Sequence, residues 1–338
     1  MRSTIKDIQR LTGLSLSTIS KYLNGGNVLP ENKTSIDSAV RKLDFKVNQF
    51  ARSLKTNKSN TVGVLIPELN STFNTSIIAY TEDILRKHGY GVIVCDSRIS
   101  REGEKQALAF LLSKKVDGII TIPFDQSGKH LLRAKQEGVP VVLIDRPVKD
   151  FNADAVLINN RGAAYEAVTE IIRKNHRRIA VIAGSQNIYT MRERLAGYRE
   201  ALAESGLDFN GQFVAEEEMS VAGGYRAFKK LISLKEPPSA LFTVNYEFTL
   251  GSIIAMNELD IKLGEDISLI GFDNMELARV IKPRLSIVVQ PIEEMAASAA
   301  ELMLRRLNGE EGASPKVITL IAQLEKGSSV KMLEARTC

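Results

Sequence analysis

The segment Thr4–Gly25, TIKDIQRLTGLSLSTISKYLNG, decides how this chain is read. Thr4 stands where a helix N-cap belongs. Asp7, three residues on, takes the reciprocal position of a capping box, where glutamate or glutamine is more usual. Ile5, Ile8 and Leu11 follow at helical spacing and predict one apolar stripe. Gly13 supplies backbone free to reverse direction, and Ser15 is placed to cap a second helix from Leu16 to Leu23. Ile19 and Leu23 give that helix its inner face, leaving Leu16, Ser17, Ser20 and Lys21 outward. A third helix is expected after Pro30, with Ile36, Ala39, Val40 and Leu43 inward. Three short helices with a tight turn before the second make a helix-turn-helix unit.

The charge around this unit is one-sided. Residues 1–60 carry eleven lysines and arginines against four acids, whereas the rest of the 338-residue chain is close to neutral. A basic head on a neutral body is the footprint of a polyanion-binding module, although clustered lysines also occur on surfaces without a partner. Short hydroxyls on the outer face of the second helix suit contacts to bases and phosphates. Lys21 can reach a guanine edge or a phosphate, and Leu16 a thymine methyl. Beyond Phe45, a short apolar pattern at Phe50, Ala51 and Leu54 predicts a helix over 48–57, too short to be stable alone. A polar linker follows to Thr61.

From Thr61 onward, β-branched runs alternate with helical stretches. TVGVLI, YGVIVC, DGIITI and VPVVLI read as buried parallel strands, as do RIAVIAG, SALFTV and DISLIGF in a second series. Helices are expected over 75–88, 102–114, 192–205, 223–234, 248–259 and 293–308. The fold class is therefore α/β: a helix-turn-helix head on a body of two doubly wound parallel-sheet lobes. The expected bounds are 1–46 for the head, 47–60 for hinge helix and linker, and 61–338 for the body. Lobe one takes about 61–160 and 291–320; lobe two takes about 161–290 and 321–333.

Ligands in such sheets bind beyond the carboxyl ends of the strands, here an interlobe cleft. Asp96, Asp145, Asn245 and Asp273 all follow strands, and Arg194 lies near the start of a helix. Carboxylate, amide and guanidinium together can bracket a hydroxyl-rich ligand, with Phe73 stacking on its apolar face. Singly, an aspartate at a strand end is more often a turn or cap residue.

The motifs TIKDIQRLTGLSLSTISKYLNG and NQFARSLKTNKSNTVGVLIP, with their order through the body, resemble the lactose-repressor (LacI/GalR) family of bacterial transcription regulators. The resemblance runs over essentially the whole chain and implies a body like the periplasmic sugar-binding proteins. It implies that the second helix enters the major groove of double-stranded operator DNA, with Leu16, Ser17 and Lys21 reading bases. It implies a hinge helix from Asn48 to Lys55 in the minor groove, Leu54 wedging a central base step. The DNA-contacting set so implied is Thr4, Ser15, Leu16, Ser17, Thr18, Ser20, Lys21, Asn24, Asn48, Ala51, Arg52, Leu54 and Lys55. For the effector it implies Arg194, Asn245 and Asp273, with Asp145 and Phe73 beside them. The chain departs from the family pattern at Leu29, where serine usually caps the third helix, at Val47, where proline is common, and at Asn175, where glycine is usual.

Other classes fit less well. No nucleophile elbow, phosphate-binding loop or zincin motif occurs, and His88, His130 and His176 lack metal-ligand spacing. His176 reads as a helix C-cap. Asp145 and Asp273 could pair as in a glycosidase, but nothing else supports an enzyme. Two distant cysteines, no apolar run of membrane length and a charged N-terminus predict a cytoplasmic protein without membrane or cofactor. A plain sugar-binding protein would leave the basic head unexplained. The expectation is thus a homodimeric repressor of carbohydrate genes, controlled by a small effector, a sugar or its derivative. The C-terminal EKGSSVKMLEARTC offers no heptad for a tetramer. Control by a phosphocarrier protein on the first lobe is the alternative.

Overall fold

In the head, the sequence builds three helices: α1 (Ile5–Thr12), α2 (Leu16–Leu23) and α3 (Pro30–Lys42). The computed structural model describes residues 3–23, 25–45, 58–273, 275–309 and 314–334. The chain divides into two units, Met1–Asn60 and Thr61–Cys338. Aspartate makes the capping box after all: the Asp7 carboxylate accepts the Thr4 backbone N–H at 2.9 Å and its hydroxyl at 2.8 Å. Gly13 ends α1 at φ +70°, and Ser15 Oγ accepts the Thr18 N–H at 3.1 Å at the start of α2. Ile8, Ile19, Ile36 and Ala39 form the buried centre, flanked by Ile5, Leu14, Tyr22, Leu23, Val40, Leu43 and Phe45. Leu11 corrects the expected stripe. It is 47% exposed, because it lies about 60° round the helix from Ile8 and beyond what two partner helices cover. Tyr22 ties α2 to α3 instead, its hydroxyl donating to Asp37 at 2.7 Å.

The body begins with β1 (Thr61–Ile66), α4 (Thr72–Lys87), β2 (Gly91–Asp96), α5 (Arg101–Ser113) and β3 (Gly118–Thr121). Next come α6 (Leu132–Gln136), β4 (Val141–Ile144), β5 (Asp154–Ile158), α7 (Asn160–Arg173) and β6 (Ile179–Ala183). The second lobe continues with α8 (Tyr189–Glu204), β7 (Val214–Glu216), α9 (Val221–Ile232), β8 (Ala240–Thr243) and α10 (Tyr246–Glu258). It is followed by β9 (Ser268–Phe272), α11 (Met275–Val280), β10 (Ser286–Val289), α12 (Ile292–Leu307), β11 (Val317–Leu320) and β12 (Gln323–Glu325).

The described strands form two six-stranded sheets, ordered β11-β5-β4-β3-β1-β2 and β12-β10-β9-β8-β6-β7. Every pairing is parallel except β10–β12. Their central strands are buried along their length, apart from Thr61 at the start of β1, which is why they are continuous apolar runs rather than alternating ones. Of the strands beyond the seven apolar runs, two show why they escape the pattern. DAVLI at 154–158 opens on an aspartate, and VAE at 214–216 is only three residues long.

The chain crosses between the sheets three times: after β5, after β10 and between β11 and β12. The C-terminal elements are thereby shared. Helix α12 packs on β3, β4 and β5 of the first sheet. There Arg306 holds Asp154 through two bonds of 2.7 and 2.9 Å, while the Lys316 N–H donates to the same carboxylate at 2.7 Å. His176 is not the expected C-cap, since α7 closes on Lys174. Its buried ring instead bridges Ser239, 2.9 Å from Nδ1, and the Lys331 carbonyl, 3.1 Å from Nε2. It thus pins the C-terminal strap to the second sheet. Asn175 does adopt the left-handed conformation, at φ +65°.

Candidate effector cleft and DNA-contacting face

The C-terminal ends of both sheets open onto one cleft of ≈ 480 Å³, lined from both lobes and by the crossing segments. Lobe two supplies the most tightly held groups. Arg194 projects from the second turn of α8 and is 3% exposed. Its Nε donates to Asn160 Oδ1 at 2.8 Å and one terminal nitrogen to the Val244 carbonyl at 2.6 Å. The guanidinium lies 3.6 Å from the centroid of the Phe272 ring, a cation–π placement that fixes its plane. Burial lowers its proton affinity, opposed by Asp273 and then Asp145. Asp273 follows β9, accepts an N–H from the Gln290 amide, and has its carboxyl pushed up by burial, with Arg194 pulling the other way. Asn245 is both cap and cleft residue. Its Oδ1 accepts the Phe248 N–H at 3.0 Å, starting α10, while its amide nitrogen donates to Glu247 at 2.8 Å.

Lobe one contributes Asp145, buried after β4 and paired with Arg146 at 3.0 Å, and Phe73, half-buried on α4. Asp145 and Asp273 sit at φ +69° and +70°. Left-handed backbone at two non-glycine residues in one cleft is strain of the kind that collects at binding sites. The structure therefore brings Phe73, Asp145, Arg194, Asn245 and Asp273 to a common cleft. Asp96 does not join them. Its carboxylate accepts the Arg98 N–H at 2.6 Å and the Leu69 N–H at 3.3 Å, which is the ordinary turn role.

Among the groups the sequence does not single out, Gln290, Glu68 and Glu247 line the cleft and Asn160 touches Arg194 beside it. Asn160 and Gln290 lie on the crossing segments and orient Arg194 and Asp273; nothing local marks them. Glu68 and Glu247 are within reach of the strand-end rule, Glu68 lying two residues past β1 and Glu247 two past Asn245. Burial pushes Glu247 up to about 7, with Asp273 and Glu68 adding to the effect. Glu68 is also raised, by burial and then by Asp96.

In the head, Ser17 and Lys21 are exposed on the side of α2 turned away from Ile19, and Leu16, one turn before Ile19, is 38% exposed. Ser15 Oγ lies 2.7 Å from the Ser17 hydroxyl and 2.9 Å from that of Thr18. Thr4, exposed, spends its hydroxyl on Asp7, and Ser20 is half-buried. The expectations at Asn24, Asn48, Ala51, Arg52, Leu54 and Lys55, and the hinge helix itself, lie outside the described residues. No helix among the described residues is long and apolar enough to cross a membrane.

A family model for a periplasmic binding protein-like domain matches residues 168–330. Catabolite control protein A of Priestia megaterium is 31% identical over 98% of this chain and 100% of its own length. A PurR transcriptional repressor of Aliivibrio fischeri (strain MJ11) is 29% identical, covering 96% of this chain and 99% of its own. Among solved structures, the transcriptional regulator CelR in complex with cellobiose has 26% identity and a TM-score of 0.74 over 97% of this chain and 100% of that one. The lac repressor dimer bound to operator and an anti-inducer shares the fold, with a TM-score of 0.87 at 22% identity over 98% and 100%. Helix-turn-helix head, paired parallel sheets and full-length similarity to transcription regulators lead to one conclusion: this chain belongs to the LacI family of transcription regulators, not to an enzyme family.

Proposed function

We propose that this regulator is a cytoplasmic repressor of carbohydrate-metabolism genes that binds an approximately palindromic operator as a homodimer. A small hydroxyl-bearing effector in the interlobe cleft controls it. The observation that carries this reading is the meeting of Asp145, Arg194, Asn245 and Asp273 around one cleft, with Phe73 beside them. Buried carboxylate, amide and guanidinium groups pair with hydroxyls from several directions, and an aromatic face covers an apolar ring side. The cellobiose carried by CelR supports a sugar-class ligand.

In this reading Leu16, Ser17 and Lys21 read bases, while Thr4, Ser15, Thr18, Ser20 and Asn24 position the head on phosphates. Asn48, Ala51, Arg52, Leu54 and Lys55 form the hinge, and residues 1–46, 47–60 and 61–338 act as head, hinge and body. Arg194 and Asp273 are wired to the crossing segments through Asn160 and Gln290. A ligand that pulls on either group biases how the lobes close, and lobe closure in turn changes the spacing of two heads on one duplex.

The test selects an operator from random duplexes and measures affinity by fluorescence anisotropy with and without a sugar panel. Affinity should fall steeply with salt, and Asp273→Asn should lose the ligand response while keeping operator binding. A full ligand response in that variant, or a flat salt dependence, overturns the reading. The similarity to a catabolite control protein favours one second reading, control through a phosphocarrier protein on the first lobe. Operator affinity that answers to that partner and to no small molecule would establish it.

A further inference from the structure

The charge of the cleft is one-sided, and that narrows what it can hold. Its two arginines are each held from within: Arg146 pairs through Nε with Asp145, and Arg194 meets Asn160, the Val244 carbonyl and the Phe272 ring. Glu68 from lobe one and Glu247 from lobe two are half-buried in the same lining, and neither has an ion-pair partner among the described residues. Glu247 accepts only the Asn245 amide N–H as a side-chain donor there. Glu276 and Glu293 add two exposed carboxylates to the same lining.

A second observation is independent of charge. Gln290 is 5% exposed and lines the cleft; its amide nitrogen donates to Asp273, yet its Oε1 is buried without a hydrogen-bond partner among the described residues. Buried acceptors are costly when unmet, so such an oxygen marks where a ligand's N–H or O–H belongs. The cleft thus combines an unmet buried acceptor with six carboxylates against two arginines in its lining. The described residues contain no group of three or more His, Cys, Asp or Glu side chains placed for a metal ion, which directs the charge argument to an organic cation. Phe73, Tyr80 and Tyr246 line the same space, and aromatic faces attract cations.

We propose that the effector is an amine-bearing polyol, an amino sugar in its protonated form, whose ammonium group is held between Glu68 and Glu247. The proposal rests on the cleft being the effector site and specifies the ligand's charge class. Because the two carboxylates belong to different lobes, a cation between them draws the lobes together. A neutral sugar satisfies the hydroxyl contacts but leaves both carboxylates uncompensated. Sugar acids and phosphorylated sugars add like charge to a site that already resists ionisation.

The experiment titrates the full chain calorimetrically with glucosamine, galactosamine and mannosamine, each beside its neutral hexose, N-acetyl derivative and 6-phosphate. At least one amine should bind about tenfold or more tightly than its neutral partner, and no phosphate should exceed its parent. In a Glu68→Gln, Glu247→Gln double variant that preference should shrink to about threefold or less, while the ligand-free melting midpoint stays level or rises. Equal binding of neutral and amine forms, tighter binding of a phosphate, an amine preference that survives the double variant, or no binding by any of the three amines overturns the proposal. Neutral sugars that bind, and lose binding in Asp273→Asn, leave the cleft reading intact and sink only the charge class. Binding that survives Asp273→Asn unchanged sinks both.

Discussion

The two lobes have the same strand order at their centres but are assembled by different means. In lobe two, helices meet backbone to backbone. A Cβ on Gly251 would lie 2.1 Å from the Val221 carbonyl oxygen, and one on Gly197 equally close to that of Arg161. In lobe one the tight strand glycines face side chains, Gly118 under the Met303 thioether and Gly63 under Leu111, and the backbone approach at Gly103, 2.2 Å from the Ser97 carbonyl oxygen, is to its own preceding turn rather than to another helix. The cleft repeats the contrast. Lobe two's Arg194, Asn245 and Asp273 are each held by internal hydrogen bonds; lobe one sets the Asp145–Arg146 pair and adds to it Phe73, Tyr80 and the Glu68 carboxylate on its first strand-to-helix loop. One jaw is set in advance, and the other can adapt. Such an arrangement suits a switch, because a ligand shifts an equilibrium only through contacts that differ between states.

The largest expected effect tests the packing half of this contrast. Gly251→Ala should destabilise the body by about 3 kcal/mol or more, since neither α9 nor α10 can retreat without moving its own sheet contacts. Gly118→Ala should cost under about 1.5 kcal/mol, because the end of Met303 can swing aside. Urea unfolding of both variants decides the matter. Equal losses would erase the distinction between rigid and adaptable lobes.

Lobe one has a firm point that comes from the far end of the chain. Burial alone would raise the Asp154 carboxyl, but the Arg306 pair and the Lys316 N–H hold it below the ordinary aspartate value. The interaction therefore stabilises the fold above the unfolded carboxyl's pKa and is lost as pH falls through the lower folded value. Asp154→Asn should cost about 2–3 kcal/mol at neutral pH, by leaving Arg306 half-paired and the Lys316 N–H with a poorer acceptor. The loss should vanish in strong acid. Chemical denaturation across the acid range checks it, and a loss that persists unchanged in acid would mean that Asp154 acts by shape rather than charge.

How far the sequence reveals all this follows from how local each cause is. TVGVLI is a strand with its bounds intact because a central strand buried from its second residue onward must be apolar along that length. VAE at 214–216 is a strand only because β6 lies beside it. Asp145, Asn245 and Asp273 are legible because strand ends are where such sheets bind ligands. Asn160 and Gln290 are not, since their roles depend on partners 34 and 17 residues away in the sequence. His176 is illegible for the same reason: its ring meets Ser239 and Lys331, 63 and 155 residues on. Residues whose surroundings are their own neighbours in sequence can be read, and residues that join distant segments cannot.

The smallest effect bears on the meeting of the jaws. Glu247 has an ordinary glutamate value of 4.5 in the unfolded chain and about 7 in the fold, raised first by burial and then by Asp273 and Glu68. A raised folded value means that its contribution is fully present below about pH 4.5 and is lost as pH climbs through 7, where the folded state must carry the charge. Discounted for its partial exposure, the window is worth about 1–2 kcal/mol. Glu247→Gln should therefore leave the melting midpoint near that of the parent at the acid end and raise it at pH 7.5, flattening the slope between. The same measurement on Glu68→Gln should show a weaker change of the same sign, because each carboxylate is part of the other's surroundings. A Glu247→Gln profile parallel to the parent would mean that Glu247 is well solvated, and that the lobes meet at the cleft without electrostatic tension.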